Sequence, residues 1–332
     1  MENFQCNYVI NFEAEVTTIL LLKNKKQIII CTTNGFLYLY NIKLMKLIQS
    51  IELIKEEEKP KPDCTILDII EFQENKFCVS CWDNTIKIIE LYDNNQKYKI
   101  IQILTEHNKY VNSLKFLKFF KNEIVMASSA TGGIIILWKY ENDKFNKFNE
   151  IKLYEDESME NFYLQIESIE ESEKYQELIG GDHHREKIYF CNLVELGKYE
   201  KMDINVNNCI RALKIIDNGE HLVVAGDEIY LIKLKNKSVL MKIEYGESEF
   251  NCVFQKQNGN ILITEYGAIC KIREFKFNPE KLLLESISIK EKDFKKYITT
   301  IIELDSGDLI MGGYDKTIKL FQDISKYKSN KY

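Results

Sequence analysis

A short pattern that occurs twice constrains the fold of this chain more than any other feature. Residues 80–91 read Ser-Cys-Trp-Asp-Asn-Thr-Ile-Lys-Ile-Ile-Glu-Leu, and residues 312–321 read Gly-Gly-Tyr-Asp-Lys-Thr-Ile-Lys-Leu-Phe. Each copy predicts a tight turn at Asp83 or Asp315 followed by a strand, because polar and apolar residues alternate at a period of two. Two copies in one chain predict a repeat architecture.

Apolar runs of strand length recur along the whole chain, separated by Asn, Asp, Gly or Lys. They fall into groups of four, and the third strands start near residues 35, 84, 133, 187, 228, 267 and 316. This spacing is typical of a propeller repeat of about 40–45 residues, with longer loops supplying the excess. The last group has only three strands, and an extra strand at 7–12 precedes the first group. We therefore expect the N-terminal strand to pair with the last strand, at 317–321, and to close a ring.

The sequence thus predicts an all-β fold, a seven-bladed β-propeller with four antiparallel strands in each blade. A single sheet of this size cannot bury both of its faces, whereas radial stacking covers each sheet with its neighbours. A charged linker at 55–63 and an acidic loop at 155–160 are expected between blades. We expect one domain, with a polar tail at 323–332, and blades at 14–53, 64–104, 107–154, 162–204, 208–243, 249–289, and 296–322 together with 7–12.

Composition argues against several other classes of protein. The net charge of the 332 residues is −6, so no general affinity for polyanions is expected. The nine cysteines are scattered, mostly inside apolar runs, which favours reduced thiols and a cytoplasmic or nuclear location. No apolar run approaches the roughly 18 residues of a membrane helix, and the first residues lack the pattern of a secretory signal.

The repeated pattern resembles the WD40-repeat family, whose units carry Ser-x-Asp-x-Thr-Ile-Lys, a closing Trp-Asp and an earlier Gly-His. The match is closest at 82–89 and 314–321, and a third repeat has Glu106-His107 and Trp138 at the Gly-His and Trp positions. The resemblance implies a structural role for His107, Asp83 and Asp315. In the other repeats the Trp position is assigned to Tyr40, Ile89, Cys191, Ile232, Ile272 and Phe321.

This chain departs from the family in the hydrogen-bonded tetrad of His, Ser, Asp and Trp, which no repeat keeps complete. His107 and Trp138 share a repeat whose turn position is Gly132. The turns at Asp83 and Asp315 are therefore expected to be stabilised by Asp side chains that cap their own backbone.

Aromatic residues next to the turns are the candidate partner-binding residues. In WD40-like propellers the position before the turn Asp, here Trp82 and Tyr314, faces the mouth of the central channel. Tyr110 and Tyr297 precede first strands and are expected on the same rim. Exposed aromatic residues are common anchors in protein interfaces, although packing against neighbouring side chains explains the same residues. His183 and His184, in the turn cluster 182–186, are further candidates for partner contact, because turn tips often carry function.

Other clusters favour structural interpretations. Cys78 and Cys81 are three residues apart in a strand and point to opposite faces, so they do not form half of a zinc site. Gly132-Gly133 and Gly180-Gly181 are interpreted as turn glycines. The segment 115–121 interleaves Lys with Phe, which is consistent with a nucleic-acid surface but more simply with a strand and its turn.

The sequence therefore predicts a non-enzymatic scaffold or adaptor that binds proteins or peptides at its mouth, without a cofactor, metal or small-molecule substrate. No nucleophile elbow, phosphate-binding Gly loop or metal-binding motif is present. A nucleic-acid- or chromatin-associated propeller is the alternative, and an enzyme with its site in the channel is a third hypothesis.

Overall fold

The structure of the chain is a computed structural model that describes residues 4–53, 65–154, 164–184, 187–204, 209–246, 248–267, 270–291 and 294–323. The predicted linker at 55–63, the acidic loop at 155–160, and residues 324–332 of the predicted tail lie outside these ranges. None of the described helices is long and apolar enough to cross a membrane.

Twenty-eight strands form the described part of the fold, and they are numbered in chain order. The first fourteen are β1 (Phe4–Asn11), β2 (Val16–Leu21), β3 (Gln27–Thr32), β4 (Phe36–Asn41), β5 (Lys46–Glu52), β6 (Ile66–Gln73), β7 (Lys76–Cys81), β8 (Ile86–Tyr92), β9 (Lys97–Leu104), β10 (Val111–Phe116), β11 (Val125–Ala130), β12 (Ile134–Glu141), β13 (Lys144–Lys152) and β14 (Ile166–Ser172). The others are β15 (Glu177–Asp182), β16 (Lys187–Asn192), β17 (Tyr199–Asp203), β18 (Ile210–Ile216), β19 (His221–Gly226), β20 (Ile229–Lys233), β21 (Ser238–Ile243), β22 (Glu249–Gln255), β23 (Ile261–Tyr266), β24 (Lys271–Asn278), β25 (Leu283–Glu291), β26 (Ile298–Glu303), β27 (Leu309–Gly313) and β28 (Thr317–Asp323). Two 3-10 turns, Asp217–Gly219 and Leu234–Asn236, flank strands of the fifth blade.

The strands form seven four-stranded antiparallel sheets, which confirms the predicted seven-bladed propeller. Six blades use four consecutive strands, from β2–β5 to β22–β25. The seventh has the order β1-β28-β27-β26, with Phe4 opposite Asp323 and Asn11 opposite Thr317. The predicted closure by the N-terminal strand is therefore confirmed.

The core consists of seven hydrophobic clusters, one between each pair of neighbouring blades. The cluster between the first and last blades contains Ile28 and Tyr40 from one side and Ile310 and Ile318 from the other. These residues come from the two ends of the chain, and their burial follows from ring closure. Each sheet buries both of its faces because a neighbour covers each of them.

Polar side chains also join neighbouring blades along the channel. In three blades, a side chain near the start of the first strand accepts the N–H of a first-strand residue in the next blade. The pairs are Asp68 Oδ2 with Leu114 N at 2.8 Å, Ser168 Oγ with Leu213 N at 3.2 Å, and Thr300 Oγ1 with Ile19 N at 3.2 Å. These bonds fix the first strands at the channel wall, where the candidate site lies.

Two interpretations made from the sequence are wrong. Gly180 and Gly181 lie inside β15, not in a turn, and a Cβ on Gly181 would meet Ile210 Cγ2 at 2.4 Å. Glycine is required there because the first strand of the next blade approaches so closely. In the third blade, the bulge between the third and fourth strands comes directly before Trp138. The corresponding bulge of the sixth blade comes directly before Phe275. Phe275 therefore takes the Trp position of this blade, and Ile272 does not, although both are buried.

Candidate functional site

The mouth of the channel is built by two residues from each blade. The first stands directly before the first strand, and the second stands where the second strand ends. In several blades a backbone hydrogen bond joins the two residues. The N–H group of the second donates to the carbonyl of the first at 2.8–2.9 Å in the pairs Trp82 with Thr65, His183 with Gln165 and Tyr314 with Tyr297. We call this ring of residue pairs the mouth rim. All the partner-binding residues predicted from the sequence except His184 occupy it, and His184 follows His183 in the same turn.

Trp82 and Tyr110 form an aromatic stack on the mouth rim. Their ring centroids are 5.1 Å apart and the planes differ by 18°. Trp82 belongs to the second blade and Tyr110 to the third, so the stack covers the joint between two blades. Tyr110 is 39% exposed, whereas Trp82 is half-buried. A partner that contacts this stack meets a large apolar surface held in one orientation.

A second aromatic group joins the sixth and seventh blades. Tyr297 lies with its ring centroid 4.0 Å from that of Tyr266 and 6.0 Å from that of Tyr314. Its hydroxyl donates to Glu249 Oε2 at 2.6 Å, and burial together with this bond raises the pKa of Tyr297 to about 12. Tyr314 is 38% exposed, so the group presents a ring to solvent.

Tyr266 is a rim residue that the sequence reasoning missed. It ends the second strand of its blade, at the repeat position that Trp82 and Tyr314 occupy in theirs. It is followed by Gly267 and not by Asp, so it lacks the aromatic-Asp pair that marks Trp82 and Tyr314 in the sequence. Extending the repeat alignment to the ends of all second strands identifies it.

Inside the rim, a cavity of about 440 Å³ opens between the first strands of all seven blades. Its ionisable lining residues are Asp68, Glu167, Arg211, Glu249, Cys252, Tyr297 and Tyr314. Asp68 has its two oxygens bonded to the N–H groups of Ile69 and Leu114, and burial raises its pKa to about 6. It is a structural side chain of the channel wall.

Arg211 is held by two carboxylates. Its Nη1 lies 2.8 Å from Asp227 Oδ1 and its Nη2 lies 3.3 Å from Glu249 Oε2. Burial opposes the charge of the guanidinium, but the bond to Asp227 and the charge of Glu249 outweigh it and hold the pKa of Arg211 above its usual value. The positive charge of Arg211 is thus neutralised within the mouth.

His183 and His184 lie in the same turn but have different surroundings. His183 Nδ1 contacts Glu167 Oε2 at the cavity wall, and its ring lies edge-on to that of His184 at 4.7 Å. His184 is exposed and donates its N–H to Asp182 Oδ1 at 3.0 Å. Partial loss of hydration and the charge of the neighbouring His183 lower the pKa of His184. The remaining members of the predicted cluster, Arg185 and Glu186, lie outside the described residues.

The residues predicted to stabilise turns have the following contacts. Asp83 Oδ1 accepts the N–H and the hydroxyl of Thr85 at 3.0 and 2.6 Å. Asp315 does the same with Thr317, at 3.2 and 2.6 Å. Each aspartate also contacts the lysine four residues later, so the Asp-x-Thr-Ile-Lys pattern encodes one closed polar turn.

His107 belongs to a buried triad that lacks the aspartate of the family tetrad. His107 Nε2 lies 2.7 Å from Ser128 Oγ, and Trp138 Nε1 donates to the same oxygen at 2.8 Å. Burial lowers the pKa of His107 to about 4, so the ring is neutral at pH 7. The triad stabilises the third blade internally and does not reach the mouth.

Two of the three lysines of the segment 115–121 are paired with carboxylates of the next blade. Lys115 forms an ion pair with Glu170 at 2.8 Å, whereas Lys118 pairs with Glu173 at 3.4 Å. Among the described cysteines, Cys78 and Cys81 are buried, are not joined by a disulfide and belong to different clusters. No group of three or more His, Cys, Asp or Glu residues suited to a metal is found in the described ranges.

The ring of seven four-stranded blades defines the chain as a seven-bladed β-propeller. Among solved structures, it is similar to the WD40 β-propeller domain of Doa1, with a TM-score of 0.71 and 13% sequence identity over 96% of this chain and 97% of that one. The chain therefore has the fold of a WD40 β-propeller. No protein-family model matches the sequence, and no curated protein matches it either.

Proposed function

We propose that this protein is a non-enzymatic interaction scaffold, a cytoplasmic or nuclear subunit of a larger complex, that binds a protein or peptide at its channel mouth. The observation that carries the proposal is the pair of aromatic groups on the mouth rim, Trp82 with Tyr110 and Tyr266 with Tyr297 and Tyr314. They are anchored on rigid strand ends and keep part of their ring surface in contact with solvent.

Aromatic anchors beside polar groups are characteristic of protein interfaces. Tyr and Trp are enriched in their energetically dominant centres because a large apolar ring is held with little loss of conformational freedom. The rim offers such rings beside the hydrogen-bonding groups of the cavity wall. Since the strand ends are fixed by closure of the ring, a partner encounters a preformed surface.

A nucleic-acid partner is less well supported. Phosphate binding requires a continuous basic surface, but Lys115 and Lys118 are paired with carboxylates. Arg211, the arginine that the described part of the mouth contains, is paired as well. An enzymatic role would require titratable groups that converge on a reacting atom, and the cavity carboxylates instead contact backbone amides, Arg211, Tyr297 and His183.

Affinity capture with quantitative mass spectrometry tests the proposal. The wild type is compared with Trp82→Ala, Tyr314→Ala and Leu44→Ala. Leu44 is 67% exposed in the turn between β4 and β5, on the opposite face of the ring, and serves as the matched control. We expect the recovered amount of at least one associated protein to fall about tenfold or more with the mouth variants, as for an interface anchor. The same protein should be recovered undiminished with Leu44→Ala.

Thermal melting of each variant shows whether the fold is intact. If every associated protein is retained by both folded mouth variants, or is lost equally with Leu44→Ala, the mouth is not the partner site.

A further inference from the structure

The charges of the described side chains on the cavity wall are unbalanced. Among the described residues, the cavity is lined by the carboxylates of Asp68, Glu167 and Glu249 against the guanidinium of Arg211. Asp227 adds a further carboxylate on the rim, 2.8 Å from Arg211. A concave site with walls of low dielectric concentrates the field of its charges, so this mouth attracts cations and repels anions.

We infer that the mouth binds a lysine or arginine side chain carried by an exposed segment of the partner protein. This inference rests on the proposed function and gives the chemistry of the partner. The cation enters the cavity, and the aromatic groups of the rim contact the residues that flank it.

The arrangement of the polar contacts favours a cation over an anion. Arg211, the only guanidinium among the described residues of the cavity wall, already bonds to Asp227 and Glu249, so its positive charge is compensated without an anionic ligand. Glu167 reaches the cavity wall, where its described ionic contact is with His183. A lysine ammonium or a guanidinium in the cavity would therefore meet the charge of Glu167 and Glu249 without displacing a backbone bond.

The aromatic rings strengthen the same preference. Tyr314 lines the cavity from the seventh blade and is close enough to Glu167 and Glu15 for their charges, after burial, to raise its pKa. A cation that rests on this ring gains from the negative face of the aromatic system as well as from the carboxylates. An acidic side chain would be repelled by both.

The cavity is large enough to admit one long side chain. A volume of about 440 Å³ lies within the range of about 300–1,000 Å³ that is typical of ligand pockets. A whole folded domain cannot enter it, so the domain or peptide that carries the cation must stay on the rim. The rim then supplies apolar contact area, and the cavity selects the charge.

Panning a random dodecapeptide library against the full chain at low salt tests the inference. We expect the enriched peptides to share at least one Lys or Arg, and Tyr314→Ala to reduce their binding. The affinity of a synthetic copy of an enriched peptide should fall about fivefold or more with Glu167→Gln, because close charge pairs are strongly coupled across interfaces. It should also fall as the salt concentration is raised from about 50 to 500 mM.

The control variant is Glu123→Gln, which removes a carboxylate that pairs with Lys139 at 2.7 Å at the opposite end of the strands. It should leave the affinity for the peptide unchanged. Replacing the Lys or Arg of the peptide by Gln should weaken binding to the wild type more than to Glu167→Gln.

The outcomes separate the two claims. Enriched peptides that depend on Tyr314 but lack Lys and Arg, or that bind Glu167→Gln as tightly as the wild type, would overturn the cation inference and leave the mouth as a partner site. Peptides that bind equally well to Tyr314→Ala would overturn the proposed site itself.

Discussion

Phe4 gives the sharpest test of ring closure. It begins β1, is 9% exposed, and packs in the cluster between the sixth and seventh blades with Cys270, Phe294 and Phe321. Lys256 Nζ lies 5.1 Å from the centre of its ring. The residue is buried only because β1 pairs with β28, so Phe4→Ala measures the contribution of the closing strand.

The expected loss can be worked from this burial. Replacing a buried Phe by Ala typically lowers the free energy of unfolding by about 3–5 kcal/mol, and a site near a chain end relaxes readily, so we expect about 3 kcal/mol. The entropy of unfolding of a domain of this size is about 0.7 kcal/mol per kelvin at its midpoint. Phe4→Ala should therefore lower Tm by about 4 °C in differential scanning calorimetry.

Val9 is the matched control on the same strand. It pairs with Lys319 of β28 but is 46% exposed, so Val9→Ala should change the free energy of unfolding by less than about 0.5 kcal/mol. If both variants melt within 1 °C of each other, the buried contact of β1 does not stabilise the ring and the closure model is wrong.

Two further predictions concern buried polar groups. Trp138→Phe keeps a smaller aromatic ring but removes the N–H donor to Ser128 Oγ, so urea denaturation should show a fall in the free energy of unfolding whose hydrogen-bond part, about 1–2 kcal/mol, disappears when Ser128 is already Ala. Equal losses in both backgrounds would contradict the triad. Burial raises the pKa of Asp68 to about 6. Between pH 4 and 6 the folded state therefore binds more protons than the unfolded state. The contribution of Asp68 to the free energy of unfolding thus falls as the pH rises through that window. The Tm of Asp68→Asn relative to that of the wild type should therefore rise from pH 4.5 to 7, and a constant difference would show that this carboxyl does not titrate there.

Much of the fold was predictable because the repeat pattern carries its own physical signals. The Asp-x-Thr-Ile-Lys stretches specify a turn, a capping carboxylate and a half-buried strand. The surplus strand at the start and the missing strand at the end specified the closure that β1 and β28 form. Local pattern and global fold agree at these positions, as expected for a foldable sequence.

The errors arose where turn length or contacts between blades decide the geometry. The Trp position of the sixth blade was predicted at Ile272 instead of Phe275 because β24 starts at Lys271 and not near residue 267, which moves this position three residues along the chain. Gly180 and Gly181 read as turn residues, since nothing local shows that Ile166 and Ile210 approach them. Strand pairing within the sixth blade decides the first case, and the approach of Ile210 from the next blade decides the position of Gly181.

The candidate site was only partly accessible from the sequence. The rim positions of Trp82, Tyr110, Tyr297 and Tyr314 follow from their place in the repeat. Their partners do not, because the stack of Trp82 on Tyr110 crosses a blade boundary. The pairing of Arg211 with Asp227 and Glu249 joins two blades and likewise has no signature in the linear sequence.

Site-specific photo-crosslinking in cells tests most directly whether the mouth is the partner-binding surface. The photoreactive residue p-benzoylphenylalanine replaces Tyr314 on the mouth rim or, as the control, Leu44 on the opposite face. We predict a covalent adduct with a partner protein from position 314 that is absent from position 44. An adduct from position 44 without one from position 314 would contradict the proposal that the mouth binds the partner.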